Sequence, residues 1–277
     1  MALVALAGAL GATTRPARLV LRSAAVLIQD QASGEMLYQK HTDEPLPIAS
    51  ITKLMTAMVL LDARTDLGQS LTILEEDKDV LRHSRSRLPV GTRMTVGEAL
   101  LVALMASENR AAHALGRIYP GGLPACIAAM NAKAHALGLQ ETRFEDPAGL
   151  SGGNVSSARD LVKVVDQAHH YPLIRSDSTT SSTLIQSGRR TLQFHNTNHL
   201  IQSSAWQIGL SKTGYIEESG QCLVMQAQLA QRSLLIVLLD ANGRESRFND
   251  ANRIRQWMEG TPARLAAHPR HHHRHRA

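Results

Sequence analysis

The sequence has few cysteines, few aromatic residues and few lysines, and these shortages exclude several classes of protein. Cys126 and Cys222 are the two cysteines of a 277-residue chain, too few for a disulfide-rich scaffold or a multi-thiolate zinc site. Aromatic residues make up 3% of the chain, so it offers few platforms for stacking on nucleic-acid bases. A hydrophobic fraction of 43% still suffices for a folded core, which excludes disorder throughout the chain.

The net charge of +6 is carried by the two ends of the chain. Residues 1–22 and 260–277 contain seven arginines and no acidic residue, whereas residues 23–259 hold 23 basic and 24 acidic residues. Because the central part is close to neutral, we expect no nucleic-acid partner.

The two ends also differ from the centre in composition. Met1–Ala12 is a run of small apolar residues, too short to span a bilayer, and it resembles the apolar region of a secretory signal without its basic start. We expect an exported, periplasmic protein with an incomplete signal and no transmembrane anchor. His268–Ala277 is rich in histidine and arginine, but no carboxylate or cysteine completes a metal site there, so we expect a disordered tail, no metal and no cofactor.

The central part, residues 23–259, is predicted to be one catalytic domain with strands at both ends. The predicted strands are a hairpin and a later meander: Ala24–Ile28, Glu35–Gln39, Leu210–Ile216, Leu223–Leu229 and Leu234–Asp240. The predicted helices are Ile51–Arg64, Glu98–Ala106, Ala111–Tyr119, Pro124–Leu137, Leu161–His169 and Asn249–Glu259. Ser157 and Asp160 have the spacing of a capping box before one of these helices. We therefore expect an α/β (α+β) fold, in which helices flank an antiparallel five-stranded sheet and a mainly helical subdomain covers roughly 65–200.

The first candidate for chemistry is Ser50-Ile-Thr-Lys53, at the start of the first predicted helix. A serine there is typical of a helix N-cap, and the pattern alone is weak evidence. Positions i and i+3 share a helix face, however, so the amine can lie beside the hydroxyl. A seryl hydroxyl needs a neighbouring base to become a nucleophile, and lysine can serve when burial, a helix N-terminus or a second cation lowers its pKa.

Two further segments could complete such a site. Lys212-Thr-Gly214, on a predicted strand, supplies a second cation, and Ser107-Glu-Asn109, between two predicted helices, supplies a hydroxyl and an amide. Taken singly, they could be an ordinary edge strand and a helix-to-helix turn. The chain has six lysines against 24 arginines, and a guanidinium cannot act as a base, so lysine at both motif positions is informative. The three motifs in this order are the set of the serine acyltransferases.

On these residues the chain resembles the low-molecular-mass penicillin-binding proteins of the D-alanyl-D-alanine peptidase group. It is most similar to the D-alanyl-D-alanine endopeptidases of the penicillin-binding protein 7 type. The resemblance covers about residues 23–259. The matching segments are 47–58, 84–91, 104–112, 146–151 and 212–215.

The resemblance implies a role for each motif residue. Ser50 would attack the peptide carbonyl and form an acyl-enzyme, and Lys53 would take its proton. Ser107 would relay a proton to the leaving amine, and Asn109 would bind the substrate's peptide and position Lys53.

The resemblance also assigns the third motif to substrate binding. Lys212, Thr213 and Gly214 would hold the substrate next to the scissile bond, and Lys212 would help keep Lys53 neutral. The backbone N–H groups of Ser50 and Tyr215 would form the oxyanion hole. The implied partners are peptidoglycan peptide stems as substrate and β-lactams as covalent inhibitors, with the oligomeric state left open.

Three alternatives remain open from the sequence. One is a D-alanyl-D-alanine carboxypeptidase, and another is a non-catalytic peptidoglycan-binding protein of the same fold. The third is a class A β-lactamase, which needs a Glu-x-x-x-Asn stretch. Here the fourth residue after Glu145 is Gly149 and not asparagine.

Cys126 and Cys222 are expected to be buried free thiols.

Overall fold

The computed structural model describes residues 19–260. The signal-like Met1–Ala12 and the tail His268–Ala277 lie outside these residues. The strands are β1 Ala25–Asp30, β2 Met36–Lys40, β3 Leu46–Pro47, β4 Ser70–Thr72, β5 Arg93–Thr95, β6 Val155–Ser156, β7 Ser182–Ser187, β8 Arg190–His195, β9 Gln207–Ile216, β10 Gly220–Leu229 and β11 Arg232–Ala241. The helices are α1 Lys53–Asp62, α2 Val96–Met105, α3 Asn109–Arg117, α4 Gly122–Ala136, α5 Ala158–His169, α6 Pro172–Thr179 and α7 Ser246–Gly260.

A five-stranded antiparallel sheet forms the centre of the fold, in the order β2-β1-β11-β10-β9. The predicted hairpin and meander supply its two halves, and they join where β1 pairs with β11, for example Ala25 with Leu239. This pairing brings together the beginning and the end of the described chain. The predicted α+β fold with a five-stranded antiparallel sheet is confirmed.

Both faces of the sheet are buried, which explains the almost continuous apolar sequence of β11. Alternate residues point to opposite faces: Val237 and Leu239 pack with the helical part of the chain, and Ile236 and Leu238 pack with α7. The helix-facing core includes residues from α1, α2 and α5, so the sheet and the helices share one core.

The first predicted helix differs from the structure at its start. Ala49–Thr52 forms a 3-10 turn, and the α-helix proper begins at Lys53. Ser50 therefore lies in the turn, and its side chain caps neither the turn nor α1. The hydroxyl is left available for contacts with other residues.

Two small two-stranded sheets within the helical part were not predicted, β4–β5 and β7–β8. Their strands are short or largely polar on the exposed side, as in the sequence Ser-Thr-Leu-Ile-Gln-Ser of β7. Hydrophobic alternation is too weak in such segments to indicate a strand. In the part of the chain that the structure describes, no helix is long and apolar enough to cross a membrane.

The start of α5 shows half of the predicted capping box. The Ser157 hydroxyl accepts a hydrogen bond from the Asp160 N–H at 3.1 Å, as an N-cap does. The Asp160 carboxylate instead accepts from the Glu141 N–H at 2.8 Å and from the Thr142 hydroxyl at 2.9 Å. Asp160 thus ties the loop before β6 to the helix.

We expect Ser157→Ala to lower the free energy of unfolding by about 1 kcal/mol, because a helix N–H loses its acceptor in a buried place. Urea denaturation followed by circular dichroism measures this change. The exposed Ser204 is the matched control, and Ser204→Ala should leave the midpoint unchanged. Equal midpoints for the two variants would contradict the capping role.

Candidate active site

The amine of Lys53 lies at the centre of the candidate site. Its Nζ donates to Ser50 Oγ at 2.7 Å, to Asn109 Oδ1 at 2.8 Å and to the Ala148 carbonyl at 2.5 Å. Lys53 is 1% exposed, so water does not compete for these contacts. The structure therefore joins the first motif, the second motif and the loop at Ala148 at one nitrogen atom.

These three contacts favour a particular orientation of the neutral amine. A neutral lysine has two hydrogens and one lone pair, and the oxygens of Asn109 and Ala148 can only accept. The Ser50 hydroxyl can also donate, and its oxygen lies 3.4 Å from the same Ala148 carbonyl. With both amine hydrogens directed at the two carbonyl oxygens, the lone pair points at Ser50. This is the geometry that a base needs to accept the hydroxyl proton.

Asn109 is held in place by a second contact. Its Nδ2 donates to Ser84 Oγ at 2.9 Å, which fixes the amide orientation and leaves Oδ1 facing Lys53. Asn109 is the first residue of α3, and the N-cap is Glu108, whose carboxylate accepts from the Arg110 N–H at 3.2 Å. The N-terminus of α3 is thus capped by Glu108, and the Asn109 side chain is left for Lys53 and Ser84.

The second and third motifs meet at another lysine, Lys212. Lys212 Nζ donates to Ser107 Oγ at 2.9 Å and to the carbonyl of Thr213 at 3.0 Å. The hydroxyl of Thr213 shares a hydrogen bond of 2.6 Å with the hydroxyl of Thr197. Lys212 is 1% exposed, and β9 is an edge strand of the sheet, so the motif faces the helical part at the sheet's border.

Burial is the main cause that lowers the pKa of both lysines. The pKa of Lys53 falls to about 7, even though the carboxylates of Asp146, Glu108 and Asp79 act in the opposite direction. The pKa of Lys212 falls well below its ordinary value because of burial, and repulsion from Lys53 and from Arg247 adds to the effect. The sequence led us to expect that Lys212 keeps Lys53 neutral. In the structure burial is the main cause that lowers the pKa of Lys53, and the repulsion between the two amines acts on both of them.

Two residues at the motifs, one preceding the first motif and one in the second, have left-handed backbones that are unusual for residues other than glycine. Ala49, just before the proposed nucleophile, has φ +47°, and Ser107 has φ +58°. Such conformations cost on the order of 1–3 kcal/mol and persist only where surrounding contacts fix them. Here they aim the Ser50 and Ser107 hydroxyls at the two lysines.

Two glycines let the backbone approach Ser50 closely. A Cβ at Gly149, which has φ +79°, would lie 2.0 Å from the Ala49 carbonyl oxygen, and one at Gly214 would lie 2.7 Å from the Ile48 carbonyl oxygen. Gly149 belongs to the loop after α4 and Gly214 to β9, so these segments enclose the 3-10 turn. The Arg247 guanidinium donates to the Gly214 carbonyl at 2.8 Å and holds β9 from the α7 side.

The proposed oxyanion donors occupy suitable backbone positions. The N–H of Ser50 lies in the first turn of a helix, where N–H groups lack intrahelical acceptors. Tyr215 follows the Lys212–Gly214 motif on the edge strand, with a side chain that is 59% exposed. Their assignment as an oxyanion hole stays a prediction.

Several contributors could not be found by motif reasoning. Ala148 acts through its carbonyl, Asp146 through the loop it holds, and Ser84 through Asn109. Residues 84–91 and 146–151 were among the segments that carry the family resemblance, but the resemblance assigned no role to Ser84, Asp146 or Ala148.

Cys126 and Cys222 are buried free thiols, as predicted, and burial raises the pKa of each to about 11. In residues 19–260 no cluster of three His, Cys, Asp or Glu side chains could hold a metal ion.

Comparison with known proteins identifies the family. A model described as "D-alanyl-D-alanine carboxypeptidase", the S11 peptidases, matches residues 12–243. The chain belongs to this family. It is a serine peptidase of the D-alanyl-D-alanine type with a penicillin-binding-protein and β-lactamase-like fold, as the sequence predicted.

Individual relatives agree with this family. The chain is 46% identical to a D-alanyl-D-alanine endopeptidase of Pseudomonas aeruginosa, over 88% of this chain and 79% of the relative. It is 42% identical to a D-alanyl-D-alanine endopeptidase of Escherichia coli, over 90% and 81%. The crystal structure of the Streptomyces K15 DD-transpeptidase superposes with a TM-score of 0.81 at 27% identity, covering 87% of this chain and 98% of that one.

We expect Gly149→Ala to slow acylation of the protein by a penicillin about 100-fold, since the added methyl group must push the Ala49–Ser50 backbone out of place. Stopped-flow or gel-based labelling with a fluorescent penicillin gives the rate. Gly138 is the matched control, because it also has a positive φ but meets no atom within 4 Å. Gly138→Ala should cost roughly 1–2 kcal/mol of stability and keep the acylation rate. Equal rates for both variants would contradict the close-approach requirement.

Proposed function

We propose that this protein cleaves D-alanyl cross-links of peptidoglycan as an endopeptidase, through an acyl-enzyme on Ser50, in the periplasm. One observation carries the chemical part of the proposal. A buried amine contacts the Ser50 hydroxyl at 2.7 Å while two carbonyl oxygens hold its hydrogens. The identity of the bond that is cleaved rests on the two endopeptidase relatives, of P. aeruginosa and E. coli.

In the acylation step the Ser50 oxygen attacks the carbonyl carbon of the scissile peptide. Its proton passes to the lone pair of Lys53, whose ammonium form then has three oxygens to donate to. The negative charge on the former carbonyl oxygen is stabilised by the N–H groups of Ser50 and Tyr215. The leaving amine takes a proton from the Ser107 hydroxyl, and the proton that Lys53 received from Ser50 replaces it. The tetrahedral intermediate collapses to the ester on Ser50, and Lys53 is neutral again.

Substrate binding and deacylation complete the cycle. Lys212, Thr213 and Gly214 line the edge strand, where an extended peptide can lie along the backbone. Asn109 has two roles: it binds the substrate's peptide, and it positions Lys53. Water then attacks the ester, with Lys53 as the base, and the acyl product and Ser50 hydroxyl are released. A penicillin that resembles the D-alanyl-D-alanine unit enters the same path and stops at the ester.

The carboxypeptidase alternative shares every one of these steps and is favoured by the description of the family. The two reactions differ in the group that leaves: a terminal D-alanine, or the side chain of a second peptide stem. Incubation with purified cross-linked muropeptides separates them. Conversion of dimers to monomers indicates the endopeptidase, and loss of the terminal D-alanine from monomers indicates the carboxypeptidase.

The β-lactamase alternative has less support. The Glu145 carboxylate accepts from the Ser151 hydroxyl at 2.6 Å and from Arg143 at 2.7 Å, so it is engaged by its own loop. We expect penicillin to acylate the protein in a burst and then stall. Steady turnover of penicillin would favour the β-lactamase.

Covalent labelling tests the nucleophile and excludes the non-catalytic alternative. A fluorescent penicillin should label the native protein and should not label Ser50→Ala, since the ester has no oxygen on which to form. Ser204→Ala, an exposed serine, should label like the native protein. Labelling that persists in Ser50→Ala would assign the nucleophile to another residue.

The pKa of Lys53 predicts how acylation depends on pH. Because the active form is the neutral amine and burial lowers this pKa to about 7, the acylation rate should rise with pH and be half-maximal near pH 7. Lys53→Arg should be inactive at every pH, since a guanidinium keeps its proton. Rates of penicillin labelling across a buffer series measure the profile. A profile that stays flat through neutral pH would exclude Lys53 as the base.

A further inference from the structure

We propose that Asp146 is a positioning residue for the Ser50–Lys53 pair, which it controls through the carbonyl of Ala148. This inference rests on the proposed function, because it assigns Lys53 as the base. The Asp146 carboxylate forms no hydrogen bond with Lys53 or Ser50. It acts by fixing the direction of one peptide group in the loop 146–151.

The Asp146 carboxylate is an acceptor for a whole turn of backbone. It accepts from the N–H groups of Ala148 and Gly149 at 2.7 Å each, of Leu150 at 3.1 and 3.2 Å, and of Ser151 at 2.7 Å. The amide of Asn154, itself fully buried, donates to it at 2.5 Å. Hydrogen bonds to a charged acceptor are stronger than those between neutral groups, so this loop is held firmly.

One of these bonds determines where the Ala148 carbonyl points. The Ala148 C=O and the Gly149 N–H belong to the same planar, trans peptide group and point in opposite directions. With the Gly149 N–H directed at Asp146, the Ala148 carbonyl must point away from it, and there it meets Lys53 Nζ at 2.5 Å. Rotating this peptide group would break both bonds at once.

The far side of the loop is fixed against the helix that bears Lys53. The Thr56 hydroxyl donates to the Pro147 carbonyl at 2.7 Å, and Gly149 packs against the Ala49 carbonyl. Asp146 thus orients a peptide group whose position relative to α1 is already set. The consequence is that one of the two acceptors for the hydrogens of neutral Lys53 depends on this carboxylate.

Asp146 also adds a negative charge near the amine. The charged groups that act on Lys53 are the carboxylates of Asp146, Glu108 and Asp79, which favour its protonated form, while Lys212 is the neighbouring amine. Removing the Asp146 charge therefore makes Lys53 harder to protonate. Loss of an ordinary structural contact would not have this effect, so the pH profile separates the two explanations.

The test compares Asp146→Asn with two other variants in the full chain, using acylation by a fluorescent penicillin. In Asp146→Asn the side-chain NH₂ group replaces one carboxylate oxygen and cannot accept hydrogen bonds. Some backbone N–H groups of the loop 146–151 therefore lose their acceptor. We expect the rate at the alkaline plateau to fall about 10- to 100-fold. The acidic limb of the pH profile should move to lower pH by roughly one unit, because the carboxylate that stabilised the Lys53 cation is gone.

The control for loss of stability is Asp160→Asn. Asp160 is also buried and also accepts from a backbone N–H and a hydroxyl, but it holds the loop before β6. Its variant should acylate at the native rate with an unmoved pH profile. Asp146→Glu keeps the charge but displaces the loop by one methylene group, so it should lower the plateau rate and leave the acidic limb in place.

The outcomes distinguish this inference from the proposed function. If the native protein is not labelled at all, the proposed function fails. If it is labelled and folded Asp146→Asn matches its plateau rate, Asp146 has no positioning role, whether or not the pH profile moves. Should Asp146→Asn fail to fold, Asp146→Glu decides, and a native plateau rate in that folded variant overturns the proposal. A slow Asp160→Asn would likewise overturn it, because stability alone would then explain the loss.

Discussion

The site depends on keeping a lysine amine out of water without a carboxylate in contact with it. Lys53 touches the oxygens of Ser50, Asn109 and Ala148, none of which carries a formal charge, and its carboxylate neighbours act only from a distance. A buried ammonium without a paired charge is costly, so the pKa of Lys53 falls to about 7 and the neutral amine is well populated at neutral pH. The surrounding structure supplies acceptors for two hydrogens and leaves the lone pair to the hydroxyl. The neutral amine that can accept a proton is thus obtained by exclusion of water, which lowers the pKa of Lys53.

This requirement explains why the site lies between the sheet and the helices. Lys53 begins α1, Asn109 begins α3, and Lys212 lies on the edge strand β9, so three separate elements must meet at one place. Gly149 and Gly214 permit their backbones to come close enough to Ser50. Ala49 and Ser107 have left-handed backbones, which cost free energy. Packing in the shared core of the sheet and helices offsets this cost.

The long elements and the three motifs were predictable from the sequence, because they depend on periodicity and on residue type. The apolar run of β11 and the Ser50–Lys53 spacing are examples. The 3-10 turn at Ala49–Thr52 was not predictable, since Gly149 and Gly214, which pack against it, are distant in the sequence. The role of Ala148 was hidden for another reason: a carbonyl is common to all residues, so no side chain marks it. Burial was expected as one cause of the lowered pKa of Lys53, but its extent depends on tertiary packing that no sequence pattern shows.

The pairing of β1 with β11 has a consequence for the order in which this protein can become active. Lys212 lies on β9, which is connected to β1 through β10 and β11, and all three of these strands are synthesised well after Ser50. Contacts between such distant parts of a chain form late and slowly. A partly synthesised chain therefore holds its serine without the edge strand that would bind a substrate beside it. The topology thus makes assembly of the whole sheet a precondition for placing Lys212 beside Ser107.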